Sequence, residues 1–227
     1  MGIRERRLKG PLLMILLNQE LYFPDVHYAT PEGLLAVGGD LSVERLLLAY
    51  RSGIFPWFND DEPILWWSPD PRCVLFPEQL KVTRSMQQLI RQQRFRFSFN
   101  NEFEEVISSC KYVSRPGGEG TWITNEMMQA YIQLHQLGFA VSGACYLDDK
   151  LVGGLYGVLI EDCFFGESMF STMSNASKFA FIHLIRHLQE VRSVKIVDCQ
   201  QATHHLLSLG AELIPRKDFL NHIAHIR

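Results

Sequence analysis

The sequence predicts an α+β protein: a small N-terminal module followed by a larger mixed domain. Three observations carry this. Residues 140–170 read as three consecutive strands joined by acidic turns. Amphipathic helical runs with polar starts flank them. After Ser177 the order becomes helix, strand, helix, strand. The small N-terminal domain is expected over 1–62 and the larger domain over 63–227.

The elements follow in order. Leu12 to Leu17 is apolar, too short to span a bilayer, and is expected to be a buried element. Gly33 to Asp40 reads as a short extended piece with tight turns at its glycines. A helix starts at Ser42, a capping residue, and stops at Gly53. Val74-Leu75-Phe76 reads as a strand, Thr83 to Gln93 as a helix, and Phe95 to Phe99 alternates as a strand does. Helices are expected over Asn101–Lys111 and Asn125–Leu137, the second capped by Thr124 and ended by Gly138. The strands of the meander are Ala140–Leu147, Leu151–Ile160 and Cys163–Phe170. A helix over Ser177–Val191, a buried strand over Val194–Asp198, a short helix over Thr203–Leu209 and a last strand at Glu212–Ile214 complete the chain.

Three of the four tryptophans, Trp57, Trp66 and Trp67, lie among Pro56, Pro63, Pro69 and Pro71. Neighbouring indoles cannot share one strand face, and clustered prolines exclude a regular helix. The segment is expected on an irregular backbone, either as a wall for stacking a ring or base or as an aromatic plug between two domains.

Bulk composition excludes some classes. The 227 residues are 47% hydrophobic and 21% charged, enough for a real core. The net charge of -3 gives no global pull toward nucleic acid, so a polyanion would need a local patch. Arg84, Arg91, Arg94 and Arg96, with Lys111 and Arg115 further on near Trp122, are the candidates for one; a solvated helix face is the alternative. Five cysteines at wide spacing, with no C-x-x-C pair, argue against disulfides and zinc and suit the cytosol.

Two clusters fall at predicted strand ends: Gly166 to Ser171, and Asp198-Cys199-Gln200. Strand ends at a topological break are where α/β sheets bind ligands. Glu167 and Asp198 with Gln200 can form an acid/base and orienting set, or an ion pair and a helix cap. His183 and His187 share a helix face but lack the zincin glutamate, and His204-His205 reads as a helix start. Cys199 beside Asp198 is disfavoured as a thiolate.

The element order resembles the GNAT acetyltransferase fold. One part departs: Ser171-Thr172-Met173-Ser174-Asn175-Ala176-Ser177-Lys178 has no glycine with which to wrap a pyrophosphate, which weighs against acyl-CoA. Eight blocks in order then resemble the bacterial leucyl/phenylalanyl-tRNA–protein transferases. They are Gly38-Gly39-Asp40-Leu41, Gly53-Ile54-Phe55-Pro56-Trp57-Phe58, Trp66-Trp67-Ser68-Pro69-Asp70-Pro71-Arg72, Gly120-Thr121-Trp122-Ile123-Thr124, Leu151 to Gly157, Gly166 to Ser171, Asn175-Ala176-Ser177-Lys178 and Asp198-Cys199-Gln200.

That resemblance implies a small N-terminal domain and a GNAT-like catalytic domain in a cytoplasmic enzyme. It implies transfer of Leu or Phe, and less well Met, from aminoacyl-tRNA to proteins beginning with Arg or Lys, creating an N-degron. No metal or nucleotide cofactor and no membrane is implied. Asp198 is then expected to orient the amine and accept its proton late, through or beside Gln200, and Glu167 to hold the acceptor's positive N-terminus. Gln200 can instead donate to the oxyanion. Phe164, Met169, Phe181 and Val197 are expected to line the aminoacyl pocket. Trp67, Trp122, Arg91 and Arg94 are expected to hold the terminal adenosine and the tRNA body, and Trp57 the domain seam. An acyl-CoA-dependent N-acyltransferase and a non-catalytic RNA- or peptide-binding module are the rival readings.

Overall fold

A computed structural model describes residues 15–113 and 123–226. Two sheets divide the chain. The small sheet has the order β1-β2-β4-β3, from β1 (Ile15–Leu17), β2 (Leu34–Gly38), β3 (Phe55–Pro56) and β4 (Leu65–Trp67). β1 is an edge strand with Leu16 exposed, so the apolar run expected to be buried is only half covered; Leu12 to Met14 lie outside the described residues. Helix α1 (Val43–Arg51) starts where Ser42 accepts the Arg45 N–H, and Gly53 (φ +70°) turns the chain out of it.

The tryptophan stretch is more regular than its prolines suggest. Leu65 to Trp67 pair with β2 on one side and β3 on the other. Alternation sends Trp66 into the core, wholly buried, with its indole N–H donating to the Gly38 carbonyl at 2.8 Å. The boundary expected after residue 62 therefore falls inside the small sheet, because β4 belongs to it.

The large sheet has the order β11-β5-β10-β9-β8-β7-β6. Its strands are β5 (Arg72–Leu75), β6 (Arg96–Phe99), β7 (Ala140–Leu147), β8 (Lys150–Ile160), β9 (Cys163–Ser171), β10 (Ile196–Gln200) and β11 (Glu212–Ile214). The meander β7-β8-β9 turns at Asp148-Asp149 and after Glu161, all three residues at positive φ. The later β10 inserts between β9 and β5, parallel to the first and antiparallel to the second.

Both sheet faces are covered. Helices α3 (Phe103–Tyr112) and α4 (Asn125–Gln136) pack on one face through Val106, Ile107, Met127 and Leu134. Helix α5 (Ala176–Arg192) covers the other through Phe179, Phe181, Ile182, Leu184, Ile185 and Leu188, each contributing about 1.5–3 kcal/mol by burial. Neighbouring Phe164 and Phe165 point into different cores, as strand alternation requires. Helices α2 (Arg84–Arg91) and α6 (His204–Ser208) are where the polar starts placed them. Helix α7 (Arg216–Ile223) was not expected; only Phe219 and Ile223 are buried in it, too sparse a period to read. Among the described residues no helix is long and apolar enough to cross a membrane.

Candidate active site

The site forms where two parallel strands part. β10 pairs with β9 only through Ile196–Asp198 against Cys163–Phe165, while β9 stays paired with β8 as far as Ser171. Beyond Phe165 and Asp198 the strands separate. A bulge at Cys199 puts Gln200 at φ +62° and turns its side chain toward β9. A cavity of about 680 Å³ opens in the gap, lined by Glu167 and Gln200 among others.

Glu167 is held by three elements. Its Oε1 accepts from the Tyr50 hydroxyl on α1 (2.8 Å) and from the Gln200 amide on β10 (2.8 Å). Its Oε2 accepts from the Tyr131 hydroxyl on α4 (2.7 Å). The two tyrosine hydroxyls also touch each other. Burial pushes the Glu167 carboxyl up to about 7, against the downward pull of the Tyr131 and Tyr50 hydroxyls; the Asp198 charge adds to the rise and the Gln200 amide opposes it. Burial and the Glu167 charge push both tyrosines well above their ordinary range, so they stay protonated.

Proton counting points the same way. Tyr50, Tyr131 and Glu167 make a triangle of three oxygen contacts, and two hydroxyls supply two protons. A proton on Glu167, donated to one tyrosine, frees that hydroxyl to donate to the other and so supplies the third. Glu167 is therefore a carboxyl poised between acid and base near neutral pH, facing a cavity.

Asp198 is placed otherwise than expected. It is wholly buried and does not line the cavity. Arg72 on β5 grips both its oxygens, Nε to Oδ1 at 2.8 Å and Nη2 to Oδ2 at 2.7 Å, and Oδ1 also accepts the Gln200 backbone N–H at 2.9 Å. A carboxylate sealed in this way cannot reach an incoming amine. It holds the bulge that aims Gln200.

Of the expected pocket residues, Met169, Phe181 and Val197 line the cavity. Phe164 does not: its ring is buried in the α5-side core, seated over Gly157, where any Cβ would stand 2.6 Å from it. The two tryptophans stand in the reverse order at the cavity from that expected. Trp57 lines the cavity and is 40% exposed, whereas Trp67 sits behind it, ring centroids 5.6 Å apart, with its indole N–H on the Trp57 carbonyl at 2.7 Å. The register Phe55↔Trp67 and Pro56↔Trp66 sets this order. Trp122 and Arg115 lie outside the described residues.

Arg84, Arg91 and Arg94 are exposed at or beside α2, away from the cavity lining. Arg96 meets Asp149 at 3.4 Å and lies over the Tyr146 ring. Lys111 is buried and bonded to Asn125, so it belongs to the core and not to the patch. His183 and His187 pack on Phe97, Phe179 and Phe99 as helix residues. Cys199 lines the cavity as a free thiol, but its hydrogen bond with the Cys73 thiol and its burial push it well up, away from a nucleophile. Among the described residues no group of three or more His, Cys, Asp and Glu could hold a metal ion.

Tyr50 and Tyr131 were missed. One signal was available: each is a tyrosine on an otherwise apolar helix face, and a buried hydroxyl demands a partner.

The family model described as "Leucyl/phenylalanyl-tRNA protein transferase" matches residues 74–224, and that of its N-terminal domain matches 39–70. A leucyl/phenylalanyl-tRNA–protein transferase of Syntrophotalea carbinolica is 54% identical over 204 residues, covering 90% of this chain and 88% of that one. One of Christiangramia forsetii is 53% identical over 209 residues, covering 91% and 98%. Among solved structures, a GCN5-related N-acetyltransferase from Kribbella flavida aligns with TM-score 0.43 at 10% identity, over 74% of this chain and 58% of that one.

Proposed function

Since the chain belongs to the leucyl/phenylalanyl-tRNA–protein transferase family and is an aminoacyltransferase, we propose that it moves Leu or Phe, and Met less well, from aminoacyl-tRNA to the N-terminal amine of proteins beginning with Arg or Lys, marking them as N-degron substrates. The observation that carries the reading is Glu167, a carboxyl near 7 in the lining of an apolar recess.

The reaction exchanges an ester for an amide. The α-amine nitrogen attacks the ester carbonyl carbon, the nitrogen loses a proton, the carbon–oxygen bond to the ribose breaks, and the ribose oxygen gains a proton. A protein α-ammonium has a pKa of about 7.7–8.0. A base near 7 is matched to it, whereas an ordinary carboxylate is too weak. Glu167 receives the ammonium proton, and the Gln200 amide, at its side, orients the carbonyl or its developing oxyanion. Tyr50 and Tyr131 keep the protonated and ionised forms of Glu167 close in energy. Met169, Phe181 and Val197 receive the aminoacyl side chain, and Trp57 offers an indole face to the terminal adenosine. Arg91 and Arg94 track the tRNA backbone.

The test is transfer of radiolabelled Leu from Leu-tRNA to a protein starting with Arg, with labelled acetyl-CoA in a parallel reaction. Label in protein from the tRNA alone supports the reading. Label from acetyl-CoA, or from neither, overturns it.

A further inference from the structure

We propose that Arg72 is a positioning residue for the transfer step, fixing Gln200 on Glu167 through Asp198; this rests on the function proposed above. The sequence places Arg72 at the end of the Trp/Pro block, without a role of its own. In the fold it stands where three parts of the molecule meet. Its guanidinium carbon lies 4.7 Å from the Phe55 ring of the small sheet and 4.9 Å from the Phe219 ring of α7. The side chain is wholly buried, as is its partner Asp198.

The geometry beyond Arg72 is a single chain of contacts. The fork of Arg72 fixes both Asp198 oxygens in one plane, which a lysine cannot do. Asp198 Oδ1 then holds the Gln200 N–H at the bulge, where Gln200 takes the left-handed conformation disfavoured for a side-chain-bearing residue. Gln200 in turn reaches Glu167. The Gln201 N–H, on the Cys199 carbonyl at 2.7 Å, closes the same turn around Gln200 from its other side, and Arg72 itself does not line the cavity. Its hydrogen-bonded route to the site runs through Asp198.

The groups facing Glu167 are Tyr50 from α1, Tyr131 from α4, Gln200 from β10 and, beyond it, Asp198. Arg72 cancels the charge of Asp198 at contact distance. Removing the guanidinium leaves that charge uncompensated beside Glu167.

Arg72→Gln, Arg72→Lys, Asp198→Asn and the Arg72→Gln/Asp198→Asn pair test the proposal. Transfer is measured against pH and Leu-tRNA concentration, melting is followed by circular dichroism, and Glu167 is titrated by NMR of 13C-labelled glutamate without substrate. A misplacement of about 1 Å costs on the order of 10²-fold, so Arg72→Gln should lose about that in kcat. KM for Leu-tRNA should stay within about twofold, since substrate contacts are intact. The Glu167 titration should move upward in Arg72→Gln and return in the paired variant, which should be no slower than Arg72→Gln alone. Arg72→Lys, which keeps the charge but not the fork, should lose rate without moving the titration; it serves also if Arg72→Gln does not fold. Wild-type kcat in Arg72→Lys, multiplicative losses in the pair, or an unmoved titration in Arg72→Gln would overturn the role. Wild-type protein that transfers no Leu overturns the proposed function instead, and the NMR titration still decides whether Arg72 acts on Glu167.

Discussion

Glu167→Gln should slow transfer severely and stabilise the fold at neutral and alkaline pH. In the folded protein the carboxyl is raised from 4.5 to about 7, chiefly by burial. The folded state thus holds its proton more tightly than the unfolded chain does. Stability from this group is complete below about 4.5 and is lost as pH climbs through about 7. The difference of about 2.5 units, at 1.36 kcal/mol each, gives an upper value of about 3 kcal/mol at pH 8. Glutamine stands in for the protonated form. Its oxygen can accept from Tyr50 and Gln200, and its amide can donate to Tyr131, supplying the third proton of the triangle.

The assay has two arms. Thermal unfolding of both proteins from pH 4.5 to 8.5 should show the variant's advantage near zero at the acid end and growing to a plateau above 7. Transfer from Leu-tRNA should fall by about 10²–10⁴-fold, the usual contribution of a general base. The wild-type rate should rise through about 7 before the acceptor amine's own limb, and the variant should retain only the latter. An advantage that is flat in pH, or a variant that transfers at the wild-type rate, would refute the reasoning.

Other outcomes follow from the same geometry. Tyr131→Phe removes the donor to Glu167 Oε2, a bond to a charged group worth about 1.5–3 kcal/mol, so the acid limb of the rate profile should move to higher pH. Val197→Phe narrows the recess and should lower kcat/KM for Phe-tRNA relative to Leu-tRNA, on the scale of about 1–3 kcal/mol per methylene. Charge reversal at Arg91 and Arg94 should weaken tRNA binding and flatten its salt dependence by about one unit of slope per lost phosphate contact, read by filter binding across salt concentrations.

What the sequence disclosed and what it hid divide along contact distance. Ser42 and Thr124 are legible as caps because a cap is a contract with the N–H three residues on. The meander is legible because alternation and turn residues are local. Glu167 and Gln200 could be singled out because strand ends are marked in the chain. Their partners could not: Tyr50 meets Glu167 across 117 residues, and Arg72 meets Asp198 across 126. Asp198 and Gln200 look equivalent in sequence, two polar residues around one cysteine. The β10 bulge separates them, sending Gln200 to the cavity and Asp198 to a buried guanidinium. The same holds for Trp57 and Trp67, whose order at the cavity depends on the β3–β4 register and on no property of either indole. Chemistry-bearing residue types can thus be found in this chain one by one, but which carboxylate reaches the cavity is decided by where β10 enters the sheet. Placed between β9 and β5, it gives Asp198 a cation that neutralises it and leaves Glu167 the one raised to near neutrality.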